Sequence, residues 1–154
     1  MKKSLTVFIA LAVLATCGAA WAADSNTLTV QASVTGTCRF VAATSTLNFG
    51  ALDPSVGTDV SGSTTASFWC TRGVITAPFT NGPGLHFATG KNQMIDPVSA
   101  DVIPYTLTLT PDGGTNAGPG SPRTLTIAGN VLGTDYLSKS TGNYSDTVTL
   151  TLTP

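Results

Sequence analysis

An all-β sandwich is the fold this sequence predicts, and three observations predict it. Past residue 22, no stretch sustains apolar residues at i, i+3, i+4 and i+7, so no amphipathic helix is expected. Several stretches instead alternate apolar and polar residues, as half-buried strands do, and Gly, Pro, Asn and Asp turn signals recur between them. Threonine, β-branched and suited to a pleated, half-exposed surface, occurs 27 times while glutamate is absent, which tilts the composition the same way. Strands with one apolar face each pack as two facing sheets.

The chain begins with an address. Lys2 and Lys3 form a positive start, Leu5 to Ala15 an apolar run, and Ala20-Trp21-Ala22 a small-x-small cleavage site, so residues 1–22 read as a secretory signal peptide cut between Ala22 and Ala23. The run is shorter than the ~20 residues a spanning helix needs. Cys17 follows Thr16, where acylated cysteines usually follow Gly, Ala or Ser, so the Ala-Trp-Ala site is preferred to lipidation. Cleavage leaves 132 residues, the size of one domain.

In the segment Asn26 to Cys38, Leu28, Val30, Ala32 and Val34 fall on one face if the chain is extended. Such a strand needs a sheet, its own or another molecule's. Arg39 to Ala43 is read as a short strand, and Thr46 to Gly50 as another that stops at Asp53-Pro54. Pro54 to Thr65 lacks any apolar period and reads as a surface loop. Ala66 to Cys70 resumes a strand in which Phe68 and Trp69 point to opposite faces, with Trp69 assigned to the core or the cysteine neighbourhood. Val74 to Phe79 is the next strand, followed by the turn Asn81-Gly82-Pro83-Gly84, a short apolar stretch Leu85 to Ala88 and a turn at Thr89 to Asn92. Ile103 to Thr110 alternates cleanly, with Tyr105, Leu107 and Leu109 on one face, and ends in a Gly/Pro-rich connection reaching Pro122 that reads as flexible. Thr124 to Ile127, extendable to Val131, forms the penultimate strand. Tyr144 to Leu152 closes the chain with Tyr144, Val148, Leu150 and Leu152 in one register.

Charge and cysteines exclude several function classes. The mature chain keeps Arg39, Arg72, Lys91, Arg123 and Lys139 against eight Asp, a net charge of about −3 with no basic patch, so nucleic acid is not an expected partner. Cys38 and Cys70 remain as an even pair in an exported chain, which favours a disulfide over zinc or another metal. The chain-entropy estimate for a loop of about 33 residues is about 3.7 kcal/mol. His86, the only histidine, lies between Leu85 and Phe87 with no Gly-x-Ser-x-Gly, HExxH or phosphate-binding glycine loop anywhere, so neither a catalytic residue, a cofactor nor a small-molecule substrate is expected. The aspartates sit mostly beside Pro, Gly or Ser, where turns use them.

Four stretches carry a resemblance to a known family. They are Val34-Thr35-Gly36-Thr37-Cys38, Leu47-Asn48-Phe49-Gly50-Ala51-Leu52-Asp53-Pro54, Cys70-Thr71-Arg72-Gly73, and Gly142-Asn143-Tyr144-Ser145-Asp146-Thr147-Val148-Thr149-Leu150-Thr151. In order and spacing the chain resembles the spore coat protein U domain family, which is similar to subunits of archaic, Csu-type chaperone–usher pili. It departs from the family in its middle, where Val74 to Lys91 is short and carries Pro78 and Pro83, and Ile95-Asp96-Pro97 replaces a glycine-rich loop.

The resemblance implies an immunoglobulin-like sandwich lacking its last strand and completed by donor-strand exchange. Residues 23–36 would be the donor extension, with Leu28, Val30, Ala32 and Val34 as its plug face, and residues 37–154 the domain. Tyr144, Val148, Leu150 and Leu152 would line the acceptor groove. A periplasmic chaperone, an outer-membrane usher and homologous subunits would be the partners. The expected protein is a non-enzymatic pilus subunit supporting adhesion and biofilm formation, passing through the periplasm to the cell surface. The alternatives are a coat protein or a secreted binding module, perhaps for carbohydrate, that folds its own N-terminal strand back into its sandwich.

Overall fold

The computed structural model describes residues 23–74 and 79–154. The expected signal peptide 1–22, Ala22 included, lies outside the described residues, as does the middle of the strand expected over Val74 to Phe79. The chain divides into two units, Met1–Ser33 and Val34–Pro154. In the first, residues 23–33 are exposed and belong to no strand.

The second unit is an all-β, immunoglobulin-like sandwich. Its strands are β1 (Cys38–Phe40), β2 (Val60–Cys70), β3 (Phe79–Gly84), β4 (Asn92–Ile95), β5 (Val102–Pro111), β6 (Arg123–Val131) and β7 (Val148–Leu152). One antiparallel sheet has the order β1-β2-β6-β5-β4 and the other is the pair β3-β7. A short 3-10 turn, Gly133–Asp135, follows β6.

The two ends of the sandwich have separate cores. At the end where the folded unit is rooted, Ala66, Phe68, Cys70, Leu125 and Ile127 are buried, and Phe68 meets Phe79 of the facing sheet edge-on with ring centroids 4.7 Å apart. At the far end Ile103, Tyr105, Val131 and Tyr136 are buried, and the Tyr136 hydroxyl donates to the Thr58 carbonyl at 2.6 Å. The root itself is pinned twice. Cys38 and Cys70 form the disulfide that the cysteine count favoured, and the Thr71 amide donates to the Thr37 carbonyl at 2.8 Å while the Thr37 amide donates to Thr71 Oγ1 at 3.0 Å.

Two glycines decide how the sheet is covered. Gly62 of β2 lies opposite Gly129 of β6. A Cβ on Gly62 would lie 2.8 Å from the Asn48 carbonyl oxygen, and one on Gly129 would lie 2.8 Å from the Phe49 ring. Thr46 to Gly50, expected as a strand, is therefore a strap laid across the paired glycines without ladder bonds, with Leu47 and Phe49 half-buried against the two cores.

Other expectations are corrected. Val60 to Thr65 is not loop but the first half of β2. Asn81 to Gly84 is the bulged end of β3 rather than a turn. Trp69 is half-buried on the outer face opposite Arg39, leaving the core to Phe68. The connection after β5 is tied down: Gly118 donates to the Cys70 carbonyl at 3.0 Å, Asn116 to Val74, and Arg123 to Asp112 and Asn116 with its guanidinium 5.2 Å above the Phe68 ring.

Turn aspartates hold the loops. Asp53 is kept below its ordinary range by the hydroxyl and amide of Ser55, Asp96 by the amide and hydroxyl of Ser99, Asp101 by the hydroxyl and amide of Ser140, and Asp112 by the Thr124 amide and then Arg123. Depressed folded values mean that the stabilisation is fully present above the unfolded aspartate value of about 3.9 and is lost as the pH falls through the lower folded values. Urea midpoints should hold from neutrality down to about that value and then fall, and Asp112→Asn should flatten part of the acid limb. Separately, Gly62→Val should cost about 1–3 kcal/mol by overpacking. Gly113→Ala, where a Cβ meets nothing within 4 Å, should leave the urea midpoint unchanged.

Candidate functional site

The two sides of the sandwich are closed differently. On one side β4 and the start of the last segment bond reciprocally, Ile95 N to Ser145 O at 3.0 Å and Ser145 N to Ile95 O at 3.1 Å. Gly84 N donates to Asn92 Oδ1 at 2.9 Å, and the Tyr105 hydroxyl donates to the buried Asp146 carboxylate at 2.7 Å. Burial first, then the hydrogen bond and charge of Asp146, pushes the Tyr105 phenol upward, so it stays a donor. His86 Nδ1 stands 3.4 Å from the other Asp146 oxygen. The lone histidine thus closes a turn against a structural aspartate. A Cβ on Gly84 would collide with that carboxylate, so only glycine fits there.

On the other side, nothing among the described residues seals the seam. β7 pairs with β3 and with no other strand, and β1 pairs with β2 and with no other, so each presents one unpaired backbone edge. The two strands come within 8 Å of one another at Cα level. Phe40, Leu150 and Leu152 pack on the root-end core yet are only half-buried, while Leu125 and Ile127 of the same core are fully covered. An unpaired strand edge next to partly wetted leucines is a surface built for another strand.

Of the residues expected to line an acceptor, Leu150 and Leu152 lie with the root-end core and Val148 with the far-end core. Tyr144 precedes β7 yet keeps the inward period, since residues 144, 146, 148, 150 and 152 are half-buried and those between them exposed; it packs with Val148 at the far end and donates its hydroxyl to the Ser140 carbonyl at 2.8 Å. The ladder with β3 starts only at Val148; before it Ser145 is bonded to Ile95 and Asp146 points inward to Tyr105. Leu28, Val30 and Val34 are 83, 83 and 86 % exposed, Ala32 is exposed too, and none lies in a strand.

Sequence reasoning missed the Tyr105–Asp146–His86 group and the Gly62–Gly129 pair. Tyr105 and Asp146 are 41 residues apart, and no local pattern marks them as partners. Elsewhere a shallow hollow of about 330 Å³ on the outer sheet face is lined by small residues such as Ser61, Thr106, Thr108 and Asn130. Among the described residues there is no cluster of three His, Cys, Asp or Glu able to hold a metal, and no helix long and apolar enough to cross a membrane.

A fold of this kind with one unsealed seam fits a structural, assembly-type module. The Spore Coat Protein U domain family matches residues 24–151, well over half of the chain, and the protein belongs to that family. The family comprises structural pilus and coat domains of extracellular surface structures, chaperone–usher pilus subunits among them. No curated protein matches the chain.

The open seam has a measurable consequence. In a strand with one partner, alternate amides face away from it, so by hydrogen exchange of the monomer alternate positions of Val148–Leu152 should exchange quickly while the central β2–β6 ladder is protected. Uniform protection along β7 would contradict the unpaired edge.

Proposed function

We propose that this protein is a structural subunit of a chaperone–usher surface pilus that polymerises by donor-strand complementation. The supporting observation is the coincidence of an unpaired β7 edge over half-buried leucines with an exposed alternating Leu28, Val30, Ala32, Val34 face in the same chain. After the signal peptide 1–22 is removed, residues 23–36 of one copy enter the seam of the next copy's domain, 37–154. Leu28, Val30, Ala32 and Val34 meet Val148, Leu150 and Leu152, with Tyr144 flanking the far end.

Magnitudes say what must contribute. Burying Leu28, Val30 and Val34 yields about 5–9 kcal/mol. Ordering the seven residues from Leu28 to Val34 costs about 1–2 kcal/mol each, which offsets that gain. The surplus therefore comes from covering the acceptor's own leucines and from ladder hydrogen bonds, about 0.5–1.5 kcal/mol each. For the same reason the seam is a hazard while empty: a periplasmic chaperone covers it in transit, and an outer-membrane usher exchanges that cover for the next subunit's strand. The fibre then supports adhesion and biofilm formation at the cell surface.

Val30→Asp places a charge where the seam is apolar. The variant should be exported and folded but excluded from fibres, as seen by electron microscopy and heat-resistant ladders on gels. Normal fibres from Val30→Asp, or a chaperone-free wild-type protein that stays monomeric with residues 23–36 folded into its own sheet, would sink the proposal.

A further inference from the structure

We infer that the far end of one copy and the root end of the next form a second, apolar contact along the fibre, an inference that rests on the donor-strand reading above. The argument starts from chain direction. β7 runs from the far end, where Val148 packs with the Ile103–Val131–Tyr136 core, to the root end, where Leu152 packs with the Phe68 core. The N-terminal segment leaves the folded unit at Thr37, which is pinned to Thr71 at the root end.

Only three chain steps separate Val34, the last plug residue, from Thr37, a span of about 10 Å when fully extended. A donor's folded domain therefore starts where its plug leaves the acceptor. Were the plug parallel to β7, it would emerge at the acceptor's root end, from which the acceptor's own segment also departs, and both neighbours would compete for one end. Antiparallel insertion brings the plug out at the far end and leaves the root end to the other neighbour, giving an open head-to-tail series. The acceptor's far end then faces the donor's root end at touching distance.

Both faces carry apolar groups that the fold leaves uncovered. At the far end Val56, Leu132 and Leu137 are 61, 42 and 48 % exposed. They stand on two abutting loops: a Cβ on Gly57 would lie 2.6 Å from Leu137 Cδ2, and Gly133 is pressed against the Gly57 carbonyl. At the root end the loop fastened by the Gly118–Cys70 bond presents Ala117, Pro119 and Pro122 to solvent. The patch is too small to hold free monomers together, but a tether this short supplies an effective concentration on the order of millimolar, so a weak contact forms once the plug is seated.

Cross-linking within assembled fibres tests this, because both native mature cysteines are bonded to each other. Fibres of the double variant Leu137→Cys/Ala117→Cys, treated with a short bis-maleimide, should give a ladder of covalent multimers, and fibres of either single variant none. Absence of a ladder from double-variant fibres, or cross-links in fibres of Ala117→Cys alone, would overturn the contact while leaving donor-strand assembly intact. Val56→Asp/Leu132→Asp/Leu137→Asp subunits should still polymerise, since the seam is untouched, but their fibres should be more flexible, with a shorter persistence length by electron microscopy. Unchanged persistence length would count against the contact, and failure of wild-type subunits to polymerise would instead overturn the reading on which it rests.

Discussion

Every backbone N–H and C=O taken from water needs a partner, and among the described residues β4 is bridged to the last segment at Ile95 and Ser145 while β7 and β1 each pair with a single strand. β7 bonds to β3 on one edge and, among the described residues, to no strand on the other. Leu150 and Leu152 on β7 stay half-buried. A two-stranded sheet facing a five-stranded one cannot cover it fully, and the strap Thr46 to Gly50 covers only the part cleared by Gly62 and Gly129. The seam is thus a consequence of strand count, and the apolar floor a consequence of the seam.

Much of the sandwich was legible where inward positions carry large apolar residues. Tyr105, Leu107 and Leu109 on β5, and Leu125 and Ile127 on β6, alternate strongly because each fills its own space in a core. The first half of β2 was invisible because its inward residues beyond Val60 are Gly62 and Thr64, small so that the strap can cross above them. A strand that gives up its side chains to make room for another segment loses the signal that would announce it. The strap was mistaken for a strand by the converse logic, since Leu47 and Phe49 alternate as a strand does but find their burial without ladder bonds.

The site divides along the same line. The alternation of Tyr144, Val148, Leu150 and Leu152 is readable because the segment faces an apolar core along its whole length, although ladder bonds to β3 begin only at Val148. What the period does not reveal is the bond of Ser145 to Ile95 and that of Asp146 to Tyr105, both with residues more than 40 positions away in sequence. The reading of the Pro111 to Pro122 stretch as flexible failed in the same manner. Its glycines and prolines are genuine turn formers, but Asp112, Asn116 and Gly118 each bond to a fixed part of the fold.

The chemical contrast between the two sides bears on what each does. The sealed side is held by directional polar contacts, Ile95 with Ser145, Gly84 with Asn92, Tyr105 with Asp146, and such contacts tolerate only the geometry that satisfies them. The open side offers backbone groups, common to any strand, over leucines that accept any apolar side chain of suitable size. On the donor-strand reading, the seam must take a chaperone's strand first and a sibling's afterwards, and a floor of leucine under an unpaired edge serves two occupants where a polar latch would serve one. Selectivity for the final occupant would then rest on how well Leu28, Val30, Ala32 and Val34 fill the floor and on what the neighbouring domain touches once they are seated.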